Sequence, residues 1–238
     1  MSRSQPQPPG RRLEDSTARA VRDLERAARR GESAELVRHA AAELQQVVTG
    51  RRVLRAVRHP LGFVCLPVLR DGTDGVRVHV CVHVFGPTDP ILSDHQVHSH
   101  SGDLISTVLY GRLDNRRMGV AEEAAEPTHR VFEVLGRPTG VDELRPTRRL
   151  VRCVPGPGRT SSRGQTYTLP AGEFHTTVVP DGRPTATLVL GRTPPGRAAL
   201  FLGPVRAPGH QVVRRTCDAA QTARIARTAL QRIQVDPF

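Results

Sequence analysis

Lysine and tryptophan are absent from this 238-residue chain, and asparagine occurs once, at Asn115. All 35 basic residues are therefore arginine, set against 23 acidic ones for a formal charge of +12. Such a charge invites a nucleic-acid reading. However, abundant Ala, Arg, Gly and Pro with almost no Lys or Asn is what a GC-rich coding sequence gives. The arginines are also spread along the chain, in "RRLEDSTARAVRDLERAARR", "RPTRRL" and "VVRRT", with no aromatic platform among them on which bases could stack. Nucleic acid is not expected as a partner. Aromatic residues make up only 3%, so a core has to be built from Val, Leu and Ala. No run of about 18 apolar residues occurs, which argues against a membrane span. The start "MSRSQPQPPGRR" has no apolar stretch behind its charges, unlike a secretory signal. A cytoplasmic location is expected, and with it four reduced cysteines, Cys65, Cys81, Cys153 and Cys217, rather than disulfides. Their spacings are wide and none forms a CxxC, so a zinc knuckle is not expected.

What is present falls into four segments. Residues 1–12 are rich in Pro, Gln and Arg and read as a disordered tail. Residues 13–48 read as a helical extension. Leu13, Ala18, Val21, Leu24 and Ala28 share a stripe, "RGES" breaks the helix, and Ser33 can cap a second one running to about Val48. Residues 49–206 read as a β-barrel. "LGFVCLPVL" and the alternating "VRVHVCVHVF" (76–85) are followed by strand candidates at 104–113, 129–135, 148–154, 165–170, 174–179, 185–191 and 199–206. Residues 155–164, "PGPGRTSSRG", and the acidic 121–127, "AEEAAEP", read as loops. Residues 207–238 read as a C-terminal helical segment, with helical periodicity from about Cys217 to Gln234. The fold class is mainly β, with many short strands separated by Gly/Pro turns as in a sandwich or barrel.

Strand 76–85 has five valines on one face and Arg77, His79, Cys81, His83 and Phe85 on the other. Which face lines the barrel is open at this point. Chemistry enters at "DHQVHSHSGDLISTVLYG" (94–111), where alternation sends His98 and His100 to one side of a strand. A bare HxH is more often solvated than ligating, so a third ligand is needed. "GQTYTLPAGEFHTTV" (164–178) offers one, a Pro-Gly turn that delivers His175 at the start of a strand.

The two segments together resemble the cupin superfamily, whose motifs are G(x)5HxH(x)3–4E(x)6G and G(x)5PxG(x)2H(x)3N. The second is matched through His175, with Val179 in place of the Asn. The first is matched at His98, His100 and Gly111, but its acid, Asp103, follows after only two residues. The resemblance covers roughly residues 60–206. It implies a jelly-roll barrel carrying N-terminal helices and a C-terminal helix, with a metal held by His98, His100 and His175. Asp103, short and out of alternation, is expected behind the ligands as a partner orienting a metal-bound ring.

Three imidazoles suit Fe, Zn, Ni, Cu or Mn by ligand type. The segment "HSHSGDLISTVLYG" is further similar to the HxHPGM…S…LYG segment of plant cysteine oxidases and cysteamine dioxygenases, matching at His98, His100, Gly102, Ser106, Leu109, Tyr110 and Gly111. That similarity implies Fe(II), a small-molecule substrate such as a thiol or amino-acid-like metabolite, and O2 as co-substrate, without 2-oxoglutarate. Ile105 stands where the crosslinking Cys of mammalian cysteine dioxygenase would fall. Arg77 is the candidate cation for a substrate carboxylate. His83 and Tyr167 are candidate catalytic residues, as proton relay and hydrogen-bond donor. His39, His59, His95, His129 and His210 have no motif around them and read as structural or exposed. The alternative is a cupin that does not oxidise, either a metal-dependent isomerase or lyase or a small-ligand-binding protein. A homodimer is compatible with either.

Overall fold

A computed structural model describes residues 9–73, 76–86, 97–122, 125–136 and 140–235. Two helices, α1 (Pro9–Arg30) and α2 (Ser33–Val48), precede the strands, and α3 (Ala219–Val235) follows them. The strands are β1 (Val57–His59), β2 (Phe63–Thr73), β3 (Val76–Phe85), β4 (His98–Ser99), β5 (Asp103–Tyr110), β6 (Arg112–Glu122) and β7 (His129–Gly136). They continue with β8 (Val141–Ser162), β9 (Thr166–Leu169), β10 (His175–Val178), β11 (Thr185–Thr193), β12 (Ala199–Gly203), β13 (His210–Val213) and β14 (Arg215–Thr216). They form two seven-stranded antiparallel sheets, in the orders β14-β1-β2-β3-β11-β5-β9 and β13-β8-β6-β10-β4-β12-β7. The mainly β architecture with helices at both ends is thus the one the sequence predicts. No helix among the described residues is long and apolar enough to cross a membrane.

Strand alternation determines what each face of the first sheet does. Val80 and Val82 of β3, Leu66 of β2, Leu188 and Leu190 of β11 and Leu109 of β5 turn outward and are buried beneath the helices. The apolar stripes of all three helices close over them: Val21 and Leu24 from α1, Leu36, Ala40 and Leu44 from α2, and Ala226, Ala229 and Leu230 from α3. The valine face of β3 therefore carries the helices, and its polar face looks between the sheets. Arg52 adds a polar tie, bonding the Glu43 carboxylate and donating to the Val68 carbonyl at 2.6 Å. Arg163 donates to the carbonyls of Leu109 at 2.8 Å and Ile233 at 3.0 Å, joining the last turn of α3 to β5.

Several boundaries differ from the sequence reading. α1 begins at Pro9, and the rest of the expected tail, residues 1–8, lies outside the described residues. α2 is capped by Glu32 without a side-chain bond, so Ser33 is its first residue and not its cap. The expected strand 104–113 is two strands in different sheets, because Gly111 (φ 76°) turns the chain between β5 and β6. A side chain at Gly111 would also meet Thr185 Oγ1 at 2.4 Å.

The expected loop at 155–164 is instead mostly strand. β8 runs 22 residues to Ser162, and its second half pairs with β6 along one side only. An exposed edge tolerates Pro155 and Pro157, since no partner needs their missing N–H groups. The register shifts beside them, between Arg116 and Met118. β13 and β14 lie in a stretch whose strands the sequence did not signal.

Candidate metal centre

β4 is two residues long, yet it places the central pair of the site. Antiparallel pairing sets His175 of β10 directly opposite His98, and His100 follows on the same side. The ring centroids lie 4.4 Å apart for His98–His175 and 5.0 Å apart for the other two pairs. One ring nitrogen from each of the three lies within 4.8 Å of the others.

The turn before His175 is tied to the segment that carries His100. Gly172 N donates to the His100 carbonyl at 3.0 Å, and Ala171 N donates to Asp103 Oδ1 at 2.8 Å. Gly172, at φ 80°, supplies the left-handed residue the turn needs. Asp103 is exposed, and its carboxylate accepts from backbone and not from an imidazole. It does not orient a ring as the sequence suggested; it holds the turn that presents one. Its displacement from the His98/His100 face is what the alternation predicts. Glu173, the other nearby acid, is engaged by Arg117 Nε at 2.6 Å. The described residues place no carboxylate in the three-histidine group.

The chemistry of the donors fits a metal ion. His175 is 2% exposed, and its Nδ1 lies 3.3 Å from the Glu173 carbonyl. A carbonyl can only accept, so Nδ1 carries the proton and Nε2 presents a lone pair. That Nε2 is buried without a hydrogen-bond partner. A buried, unpartnered acceptor is costly in a folded protein, and a coordinated metal ion would satisfy it. Burial lowers the His175 pKa to about 4, with the Glu173 carbonyl opposing. Burial, then the neighbouring His98 and His175, hold His100 well below the usual histidine range. The His100 and His175 rings are thus kept neutral, as ligands must be. Imidazole–metal bonds run about 2.0–2.1 Å, so donors this close can share one ion.

His98 and His100 open onto a cavity of about 530 Å³ between the two sheets. Its apolar walls include Phe63, Leu104, Leu144, Val189 and Phe201. The first sheet contributes the polar face of β3, His79, Cys81 and His83, with Cys65 from β2. His83 therefore lines the cavity. Among residues the sequence reading passed over, His59 also belongs to the cavity wall, although it was read as structural or exposed. Its ring stacks on Phe63 (4.4 Å, 7°), which in turn stacks on His83 (4.4 Å, 28°). His95 lies outside the described residues.

Two further expectations are placed differently. Tyr167 does not line this cavity. Its pairing with Ser106 puts it with Val108 and Leu113 in a separate apolar cluster between the sheets. Burial raises its phenol, with Ser106 and Asn115 opposing. The Arg77 backbone pairs with Thr193 and Gly72, while its side chain lies outside the described residues. A guanidinium that does line the cavity is Arg214, from the junction of β13 and β14, held through Nε by the buried Asp142 carboxylate. Nothing around Arg214 in sequence marks it, since "VVRRT" shows neither motif nor strand partner.

The last group missed is Cys65, Cys81 and His83. The β2–β3 hairpin sets Cys65 directly across from His83, and Cys81 two residues before it. One donor atom from each lies within 4.8 Å of the others. The Cys65 thiol is held well below its usual range chiefly by Cys81, against burial, with His83 adding to the effect. The signal was available in the C-x-H of β3 and the short turn back to β2, but it needed the pairing register.

Comparison of the chain with models of known protein families, and with curated proteins, finds no match.

Proposed function

We propose that this protein is a non-haem iron(II)-dependent oxygenase of the cupin type, working in the cytoplasm on a small thiol or amino-acid-like metabolite. The observation that carries this is the unpartnered Nε2 of His175, buried in a group of three imidazoles of which His98 and His100 line a cavity. Bound there, iron(II) would supply electron transfer between substrate and O2, so that the substrate's own electrons serve and 2-oxoglutarate is not needed. The chain's part is binding and orientation. His98, His100 and His175 would hold the ion through one ring nitrogen each. Leu104, Val189 and Phe201 exclude water from the reacting centre, which strengthens each polar contact inside it. Arg214, fixed by Asp142, offers guanidinium N–H donors to a substrate carboxylate.

Anaerobically purified protein is expected to hold near-stoichiometric iron that is lost in His98→Ala. It should consume O2 only when a small thiol is supplied, yielding the sulfinate. Iron-free protein, or thiol-independent O2 uptake, would remove the oxygenase assignment and leave a non-oxidative cupin. Arg214→Ala is expected to raise KM for a carboxylate-bearing thiol by roughly tenfold or more, as loss of a charge-assisted bond of about 1.5–3 kcal/mol requires. Iron content should stay unchanged, and a carboxylate-free amine thiol should be turned over as before. An unchanged KM for the carboxylate substrate would assign Arg214 to structure alone.

A further inference from the structure

The cavity has a second cluster of metal-ligating side chains, on the sheet facing the three histidines. We infer that Cys65, Cys81 and His83 form a second metal site, binding one ion of the zinc(II) class through two thiolates and an imidazole, with its remaining position open to the same cavity. The inference does not depend on iron at the three-histidine group, because it rests on different residues from a different sheet.

The geometry comes from the hairpin. Residues on one face of an antiparallel pair meet directly or on the diagonal, and here Cys65 faces His83 with Cys81 as the diagonal neighbour. Their neighbours in the alternation, Val80, Val82 and Leu66, all point the other way into the helix-covered core. The three ligating side chains are thus turned inward together. Cys81 is buried and Cys65 and His83 half-buried, and neither cysteine is in a disulfide.

Zinc–sulfur bonds of about 2.3 Å and zinc–nitrogen bonds of about 2.0–2.1 Å can be met by donors already within 4.8 Å of one another. Two sulfurs make the set softer than the three imidazoles opposite. The two clusters would therefore sort ions by ligand type, thiolates selecting zinc or copper(I) and imidazoles accepting iron. Two Cys and one His with an open fourth position is a ligand set found in catalytic rather than structural zinc sites. His59 and Phe63 stack behind His83 and fix its ring plane.

Cobalt(II) is a spectroscopic stand-in for zinc, and its thiolate complexes absorb in the near ultraviolet. Added to reduced, metal-free protein, cobalt(II) is expected to give a thiolate-to-cobalt charge-transfer band. The band should persist in His98→Ala, disappear in Cys65→Ser and in Cys81→Ser, and be displaced by zinc. Zinc should also slow alkylation of Cys65 and Cys81 in the unmutated protein by roughly tenfold or more, since the free thiolate is the nucleophile, and leave Cys153 unaffected. This second measurement needs no variant and stands even where a serine substitution fails to fold. Absence of both the band and the protection in the unmutated protein would overturn the site. So would a band that survives in both serine variants, or one that vanishes in His98→Ala.

Discussion

His175→Ala is expected to lose the metal and, with it, all turnover above background, while the two sheets stay folded. Removing a partner behind a ligand typically costs 10–100-fold in metal affinity, and removal of one ligand of only three should exceed that. The imidazole is buried with an unpartnered Nε2, so its deletion relieves an unsatisfied acceptor even as it leaves a small void. These effects oppose each other, and the metal-free variant should unfold within about 1 kcal/mol of the metal-free parent. Metal analysis, activity and chemical denaturation measured together test this. Normal metal content in the variant would show that the three rings do not form the centre.

Gly102→Ala is expected to be the most damaging single-methyl change near the site. A Cβ there would lie 2.0 Å from the Arg192 carbonyl oxygen and 2.7 Å from Thr193 Cα, both backbone atoms of β11. The overlap cannot be relieved by a side-chain rotation, so β11 or the His100–Asp103 segment has to move. Overpacking of this kind costs typically 1–3 kcal/mol and occasionally more, and about 3 kcal/mol is expected from denaturant unfolding. Because Gly102 directly follows the His100–Ser101 step, metal affinity should fall as well. Gly50→Ala is a useful contrast, since Gly50 has φ 72° but no atom within 4 Å of its would-be Cβ. Only the left-handed backbone penalty of roughly 1–2 kcal/mol applies there, with no change in metal affinity. Equal costs at the two glycines would show that the close approach to β11 is absent.

How much of this was readable beforehand follows from how far apart the interacting residues are in sequence. The alternation of 76–85 is a local property and gave a strand with one polar and one valine face. Which face turned inward was not local, because it depends on helices from both ends of the chain settling on the valines. His98, His100 and His175 were legible because each sits in a short motif with its own geometry, an HxH and a Pro-Gly turn. The partner of Asp103 was not legible for a similar reason: nothing nearby shows that residue 171, 68 positions on, offers an amide to its carboxylate. Cys65, Cys81 and His83 assemble only once the β2–β3 register is known, and a shift of one residue would turn Cys65 to the opposite face. Arg214 and His59 come from short segments, β13, β14 and β1, whose pairing is entirely tertiary. Tyr167 was placed correctly on a strand, but no sequence pattern says how far along the interior it stands.

The sheet bearing Cys65 and His83 depends on the helices for more than cover. Val80, Val82, Leu66 and Leu188 are fully shielded from water by segments drawn from both chain ends. A trimmed version comprising only the strands would present these aliphatic side chains as one broad greasy surface. Such a fragment would be driven to stick to itself, so any smaller unit that keeps this sheet has to retain the apolar stripes of α1, α2 and α3.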